Sequence, residues 1–335
     1  MKQLLLLPLA LLTVGAAQPV KQTAKPAAAA TNGVDMTVLH TQVILDKLGF
    51  SPQLLDGKNG QSLVKALKGF QESRGLPVTG KLDARTAEAL KPYQAWQPVR
   101  QVRLDQAALA GPFTPVIPHD MVERGKLPGQ YYRNALEALA ERFHTTPATL
   151  IALNSAATRL DPGAVINVPN AFPTSRNYSI KDEKGLALMA SLNVPGDQPR
   201  ADKVVVDKSD GVLRAYAGDK LVFQAPATMG SKLDPLPLGT WKILSVAYMP
   251  PWKYNPAILK KAKKTDPVVE IKPGPNSPVG VVWIDLSKEH YGIHGTSEPE
   301  QIGRAESNGC IRLTNWDAAR LSLMVKAGTP AIFKA

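Results

Sequence analysis

At 335 residues the chain is long enough for two or three domains of ordinary size, and its 44% hydrophobic and 20% charged residues supply enough apolar material for real cores. Its 40 Lys and Arg against 28 Asp and Glu leave a net charge of +12, which favours an acidic partner (nucleic acid, an anionic membrane or an acidic polymer) without choosing among them. A single cysteine, Cys310, excludes an intramolecular disulfide and any cysteine-based zinc or iron–sulfur site, and five histidines supply a multi-histidine metal cluster poorly.

Lys2 gives a short positive start, Leu4 to Val14 an apolar run, and Gly15, Ala16 and Ala17 the small residues that follow. This is the pattern of a secretory signal peptide over 1–17, cleaved after Ala17. The run is too short to anchor in a bilayer, which needs about 20 apolar residues, and no later stretch is long and apolar enough to span one. The expected location is therefore exported, in a periplasm or cell wall. Export weakens the nucleic-acid reading of the charge. Residues 18–36, rich in Ala, Gln, Lys, Pro and Thr, cannot bury apolar surface and are read as a flexible linker.

From 37 to 91 the apolar spacing is helical. Val38, Leu39, Gln42, Leu45 and Leu48 form a first stripe that Gly49 ends, and Leu63, Ala66, Leu67 and Phe70 form a second. Asp83 is placed to cap a third helix through Leu90. Asp56-Gly57, Gly60, Ala66 to Gln71 and the string Gly75-Leu76-Pro77-Val78-Thr79-Gly80-Lys81-Leu82-Asp83 resemble the peptidoglycan-binding type 1 domain. The resemblance implies a small three-helix bundle that binds cell-wall glycan or peptide. The same residues are also what the core and turns of any such bundle need.

Residues 92–118, with Pro, Gln and Gly, are read as a linker. In 119–170, Leu136, Leu139, Ala140 and Phe143 share a helical face, and Thr146-Pro147 opens a helix with Leu150, Ile151 and Leu153. With the closing string Leu160-Asp161-Pro162-Gly163-Ala164-Val165-Ile166-Asn167-Val168-Pro169, this resembles a short α+β LysM module. The usual opening strand is not visible around Met121 to Tyr132. Either a working N-acetylglucosamine site or a structural remnant is implied.

From 201 to 335 the texture is short β-prone runs with Asp-Gly and Gly-Asp turns, then one helix from Trp316 to Val325, which predicts a mostly β domain. The chemistry-bearing stretch is His294-Gly295-Thr296 followed by Ser307-Asn308-Gly309-Cys310-Ile311-Arg312-Leu313. A lone cysteine is commonly a buried inert hydrophobe. Against that, Cys310 follows a polar Ser-Asn-Gly turn and has Arg312 nearby, a cation that would promote thiolate. A thiol nucleophile needs a base, and His294 lies at the end of a β-prone run from which its imidazole can project. Gly309 would let the backbone approach closely, so that its amide and that of Cys310 stabilise an oxyanion. Arg312 would clamp a substrate carboxylate.

These residues resemble the L,D-transpeptidase catalytic domain, or YkuD family, over about 203 to 333. Pro237-Leu238-Gly239-Thr240-Trp241, Pro273-Gly274-Pro275-Asn276-Ser277-Pro278-Val279-Gly280 and Gly328-Thr329-Pro330-Ala331 carry the likeness beyond the motif. The resemblance implies a YkuD-like β-sandwich or barrel, with Cys310 as nucleophile and His294 as proton donor and acceptor. The Gly295 carbonyl would orient the imidazole, and Ser307, Asn308 and Arg312 would shape the substrate site. Asn308 stands where many relatives have histidine. Trp252 and Tyr254 would line substrate access, and Trp283 reads as core.

The implied reaction opens the bond between an L-centre of a peptidoglycan stem and D-alanine, forms a Cys310 thioester and passes the acyl group to an amine. That amine would come from another stem, a lipoprotein or other envelope protein, or a free D-amino acid; water would make the enzyme a carboxypeptidase. No cofactor and no metal are called for. Glu289-His290 with His294 lacks the spacing of a zinc motif, and Lys260-Lys261-Ala262-Lys263-Lys264 reads as a solvated loop face rather than a nucleic-acid patch. A non-catalytic wall-binding protein is the alternative of a different class.

Overall fold

The computed structural model describes residues 33–335 except 261, 306 and 308. The expected signal peptide and nearly all of the linker that follows it lie outside the described residues, as does Asn308. No helix among the described residues is long and apolar enough to cross a membrane.

The first module contains α1 (Met36–Lys47), α2 (Gln61–Ser73) and α3 (Ala84–Leu90). Asp35 caps α1 by accepting from the Thr37 and Val38 amides, and Asp83 caps α3 through that of Thr86. Gly49, at φ +91°, turns the chain out of α1. Ile44, Leu45, Leu63, Leu67, Phe70 and Leu90 make the core, which Leu221 of the C-terminal domain completes. The buried Gln71 explains the glycine-rich string after α2. Its Nε2 is shared among Thr79 Oγ1, the Lys81 carbonyl and Thr86 Oγ1, and its Oε1 accepts from Gly80 N–H, all at 2.8–3.0 Å.

The stretch read as a linker over 92–118 holds a strand, β1 (Val99–Arg103). After α4 (Met121–Gly125), α5 (Ala135–Arg142) and α6 (Pro147–Leu153) comes β2 (Val165–Pro169), which pairs antiparallel with β1, Val99 opposite Pro169. Leu104, Leu139, Phe143, Leu150, Ile166 and Val168 fill the space between the two strands and α5 and α6. The strand that pairs with β2 therefore lies upstream of 119, and the segment from Leu104 to Asn134 runs between it and α5. Part of that segment docks on the C-terminal domain. Gln130 N–H donates to the Pro273 carbonyl and Asn276 N–H donates back to that of Gln130. A Cβ at Gly274 would fall 2.1 Å from the Gln130 oxygen, so only glycine fits.

The C-terminal domain opens with α7 (Glu183–Ser191), in a stretch the sequence reading assigned to no domain. Its strands are β3 (Lys203–Asp207), β4 (Val212–Ala217), β5 (Lys220–Pro226), β6 (Thr228–Met229), β7 (Gly239–Tyr248), β8 (Trp252–Tyr254), β9 (Val269–Ile271), β10 (Val282–Leu286), β11 (Gly292–His294), β12 (Ile311–Arg312) and β13 (Pro330–Lys334), with α8 (Asn315–Met324) before the last. Among the described residues, nine strands form one barrel-like sheet in the order β5-β4-β3-β13-β7-β10-β11-β12-β6, while β8 and β9 form a separate hairpin. The mostly β domain with its late helix is as expected.

The outer strand β5 is covered by the first module, since Ser51 N–H donates to the Gln224 carbonyl and Gln224 N–H to that of Gly49. This occupies a sheet edge that would otherwise invite pairing with another chain. α8 is buried along its whole length. Ser51 Oγ donates to Asp317 Oδ2 at 2.7 Å, and His144 stacks on Trp316 at 5.1 Å between ring centres. Both N-terminal modules thus pack directly on the helix that follows Cys310.

Candidate active site

β11 and β12 run parallel, with His294 in register with Arg312. Residues in register on paired strands share a face, so His294 and Arg312 face the same side, while Cys310 lies in the bend just before β12, close enough to Arg312 to feel its charge. His294 is 3% exposed and its Nδ1 lies 2.7 Å from the Gly295 carbonyl oxygen. A carbonyl only accepts, so Nδ1 carries the proton and Nε2 presents its lone pair. Burial, and then repulsion from Arg312, lower the His294 pKa to about 3.

The Cys310 thiol donates to the His290 carbonyl across 3.7 Å. Burial pushes the thiol up to about 11, partly countered by the Gly292 backbone and then by the Arg312 charge. At neutral pH Cys310 is therefore a thiol and His294 a neutral imidazole. Arg312 is half-buried, and its Nε has no hydrogen-bond partner among the described residues. Burial lowers its pKa, while Cys310 and Glu298 favour its charge.

Glycines let aromatic rings close in on these groups. A Cβ at Gly309, which sits at φ +82°, would lie 2.4 Å from the Tyr291 ring, and one at Gly292 would lie 2.4 Å from the Trp283 indole. Trp283 stacks on His294 with ring centres 5.3 Å apart and planes 16° apart. Trp283 is thus part of the site and not the core residue that its strand pattern suggested. Tyr291 donates its hydroxyl to Asp234 at 3.2 Å, and Lys260 approaches the same carboxylate at 3.5 Å.

Other expected residues divide. The Gly295 carbonyl meets the imidazole, and Gly309 forms the bend that leads into Cys310. Ser307 is buried, donating to the Cys310 carbonyl and accepting from Gly230 N–H, both at 2.6 Å. Its hydroxyl therefore ties the cysteine loop to the neighbouring turn. Tyr254 is 5% exposed and its hydroxyl donates to Asp266 at 2.9 Å, so it stabilises the β8–β9 hairpin from within. Trp252, half-buried, packs against it with ring centres 6.0 Å apart. His290 is exposed on the turn before β11, and only its backbone carbonyl meets Cys310.

Sequence reasoning missed Trp283, Tyr291, Asp234 and Asn315. A hairpin register counted outward from the turn at 287–290 would have set Trp283 opposite His294, as β10 and β11 do.

The parallel pair β11–β12 of the barrel-like sheet thus brings His294 level with Arg312, and the chain enters β12 directly from Cys310. The L,D-transpeptidase catalytic domain model matches residues 201–333, and that of the "Putative peptidoglycan binding domain" matches residues 37–90. The chain is 31% identical over 194 residues to the "Putative L,D-transpeptidase YkuD" of Bacillus licheniformis, covering 58% of this chain and 90% of that protein. It is 47% identical over 62 residues to the protein of the same name in Bacillus subtilis, covering 18% and 38%. An L,D-transpeptidase structure from Mycobacterium smegmatis matches at 22% identity and a TM-score of 0.32, covering 39% of this chain and 58% of that one. The chain belongs to the L,D-transpeptidase family of YkuD-type catalytic domains and carries an N-terminal peptidoglycan-binding domain.

Proposed function

We propose that the protein is an exported peptidoglycan L,D-transpeptidase that works through a Cys310 thioester. The observation that carries this reading is the alignment of His294 with Arg312 across β11 and β12, with Cys310 next to β12 in the field of Arg312 and His294 Nδ1 committed to the Gly295 carbonyl. In the first half-reaction the thiol turns from the His290 carbonyl and its sulfur attacks the amide carbon between the L-centre of the third stem residue and D-alanine. The thiol proton passes to His294 Nε2. The amides of Gly309 and Cys310 hold the oxyanion, and Arg312, with its unpartnered Nε, receives a stem carboxylate. The C–N bond then breaks, His294 returns the proton to the departing D-alanine amine, and the thioester remains. An acceptor amine loses a proton to His294 as it attacks, and the thiol is regenerated.

Because the resting pair is neutral, proton transfer accompanies carbon–sulfur bond formation. The first module, and the β1–α5–α6–β2 module read as LysM-like, would hold the enzyme on wall polymer. The signal-like residues 1–17 support an extracytoplasmic location. Intact-protein mass spectrometry of the mature chain and of Cys310→Ala, each incubated with a carbapenem and with disaccharide tetrapeptide, tests the reading. Adducts and D-alanine release by the wild type alone are expected, and the product masses name the acceptor. A folded wild type that gives neither overturns it.

A further inference from the structure

We propose that Asn315 and Glu141 are positioning residues for the catalytic histidine, with Glu141 supplied to the active site by the second module rather than by the catalytic domain. The inference rests on the reading of His294 as the base.

The Gly295 carbonyl holds the His294 imidazole, and the Val279 backbone adds a favourable interaction with it. Both belong to backbone that rests on the Asn315 side chain. Asn315 is fully buried at the first position of α8, and its Oδ1 accepts from Val281 N–H at 3.1 Å. The same oxygen fills the space where side chains would stand at Gly280 and Gly295. A Cβ at either would lie 2.1 Å or 2.0 Å from it. Gly280, at φ +61°, is itself so close to Gly295 that its Cβ would fall 2.5 Å from the Gly295 carbonyl carbon. The residues on either side of the imidazole are thus stacked on one amide oxygen.

That amide is fixed in turn by its other end. Asn315 Nδ2 donates to the Pro275 carbonyl at 3.2 Å and to Glu141 Oε1. Glu141 lies on α5 and borders a cavity of about 330 Å³ between α5 and the loop that follows Gly295, lined also by Glu137, Thr145, Ser297 and Glu298. Tyr132 also hydrogen-bonds the Glu141 carboxyl, and burial, with Glu137 adding like charge, pushes its pKa up to about 8. The carboxyl is therefore mostly protonated at neutral pH and acts as a neutral acceptor for Asn315. Glutamine has the same shape and keeps the accepting oxygen.

The test uses the full mature chain as wild type, Glu141→Gln, Glu141→Ala and Asn315→Ala. Three quantities are read: thermal midpoint, kcat and KM with disaccharide tetrapeptide, and the ¹⁵N spectrum of the His294 imidazole, which reports its tautomer. Glu141→Ala is expected to lower kcat about 10-fold and Asn315→Ala about 100-fold, with KM within about twofold, as for groups that orient a catalytic ligand. Both are expected to displace the His294 signals from the Nδ1–H form. Glu141→Gln is expected to keep the wild-type spectrum and rate. Since Glu141 faces a cavity, its alanine variant keeps the comparison available should Asn315→Ala not fold. Wild-type His294 signals in Glu141→Ala overturn the proposal, whether or not kcat falls, because a fall without a displaced imidazole is a structural effect. The spectrum needs no acyl transfer, so an inactive wild type with the expected shifts would refute the transpeptidase reading and leave the positioning role intact.

Discussion

The neutral resting pair predicts how Cys310 responds to pH. Its thiol sits at about 11, raised from an ordinary 9.0 by burial, and His294 at about 3 offers no imidazolium above pH 4 to stabilise a thiolate. A shift of two units leaves about 100-fold less thiolate than an unperturbed cysteine at the same pH. The more basic thiolate is also the better nucleophile, with a Brønsted slope of about 0.4–0.5, which returns about 10-fold. The net expectation is alkylation by iodoacetamide about 10-fold slower than that of an exposed cysteine, with a rate that climbs tenfold per pH unit from 6 to 9. Intact-mass kinetics at fixed reagent concentration read this directly, since the chain has one cysteine. Arg312→Gln should slow the reaction further at pH 8, because the guanidinium is the charge that favours thiolate. A plateau between pH 5 and 8 would mean a preformed thiolate–imidazolium pair and would refute the coupled proton transfer.

Glu141 holds its proton up to about pH 8, whereas the unfolded chain releases it near 4.5. The raised value means stability that is fully present below pH 4.5 and lost as pH rises through 8. Glu141→Gln should therefore raise the thermal midpoint at pH 8 more than at pH 4, and an equal gain at both would contradict the assignment. Gln71→Ala removes the amide that organises the turn after α2 and strands the Gly80 N–H. It should cost about 3 kcal/mol in urea unfolding, and a loss below about 1 kcal/mol would show that the turn stands without it. Ser307→Ala frees the Cys310 carbonyl and the Gly230 amide. It should lower kcat about 10-fold, equivalent to about 1.4 kcal/mol, with little change in KM; a rise in KM at constant kcat would instead place Ser307 on the substrate.

His294 and Cys310 were legible as candidates because they lie 16 positions apart, one ending β11 and the other just before its partner β12, with a glycine beside each. The strand β1 was not. Its apolar residues, Val99 and Val102, are three apart, so no alternation shows, and its partner strand lies beyond three helices. Trp283 and Tyr254 were misread for the same reason in opposite directions. An aromatic on a strand has two faces available, and only the register tells which one meets the site. Asn315 and Glu141 are separated by 174 positions and by a module boundary, a distance no local pattern spans.

That last contact has company. Gln53 of the first module, held at φ +73°, donates to the Pro299 carbonyl at 2.6 Å, and Arg124 of the segment between β1 and α5 donates to that of Asn276. Pro299 lies in the loop between His294 and Cys310, and Asn276 in the segment leading to Gly280. The catalytic match begins at residue 201, yet these supports, like those Gln130 gives Pro273 and Asn276, come from residues before it. Modules joined only by flexible tethers would leave those loops to support themselves. Here the carbonyl that orients His294 stands on an asparagine held from outside the domain, so the N-terminal modules belong to the scaffold of the active site.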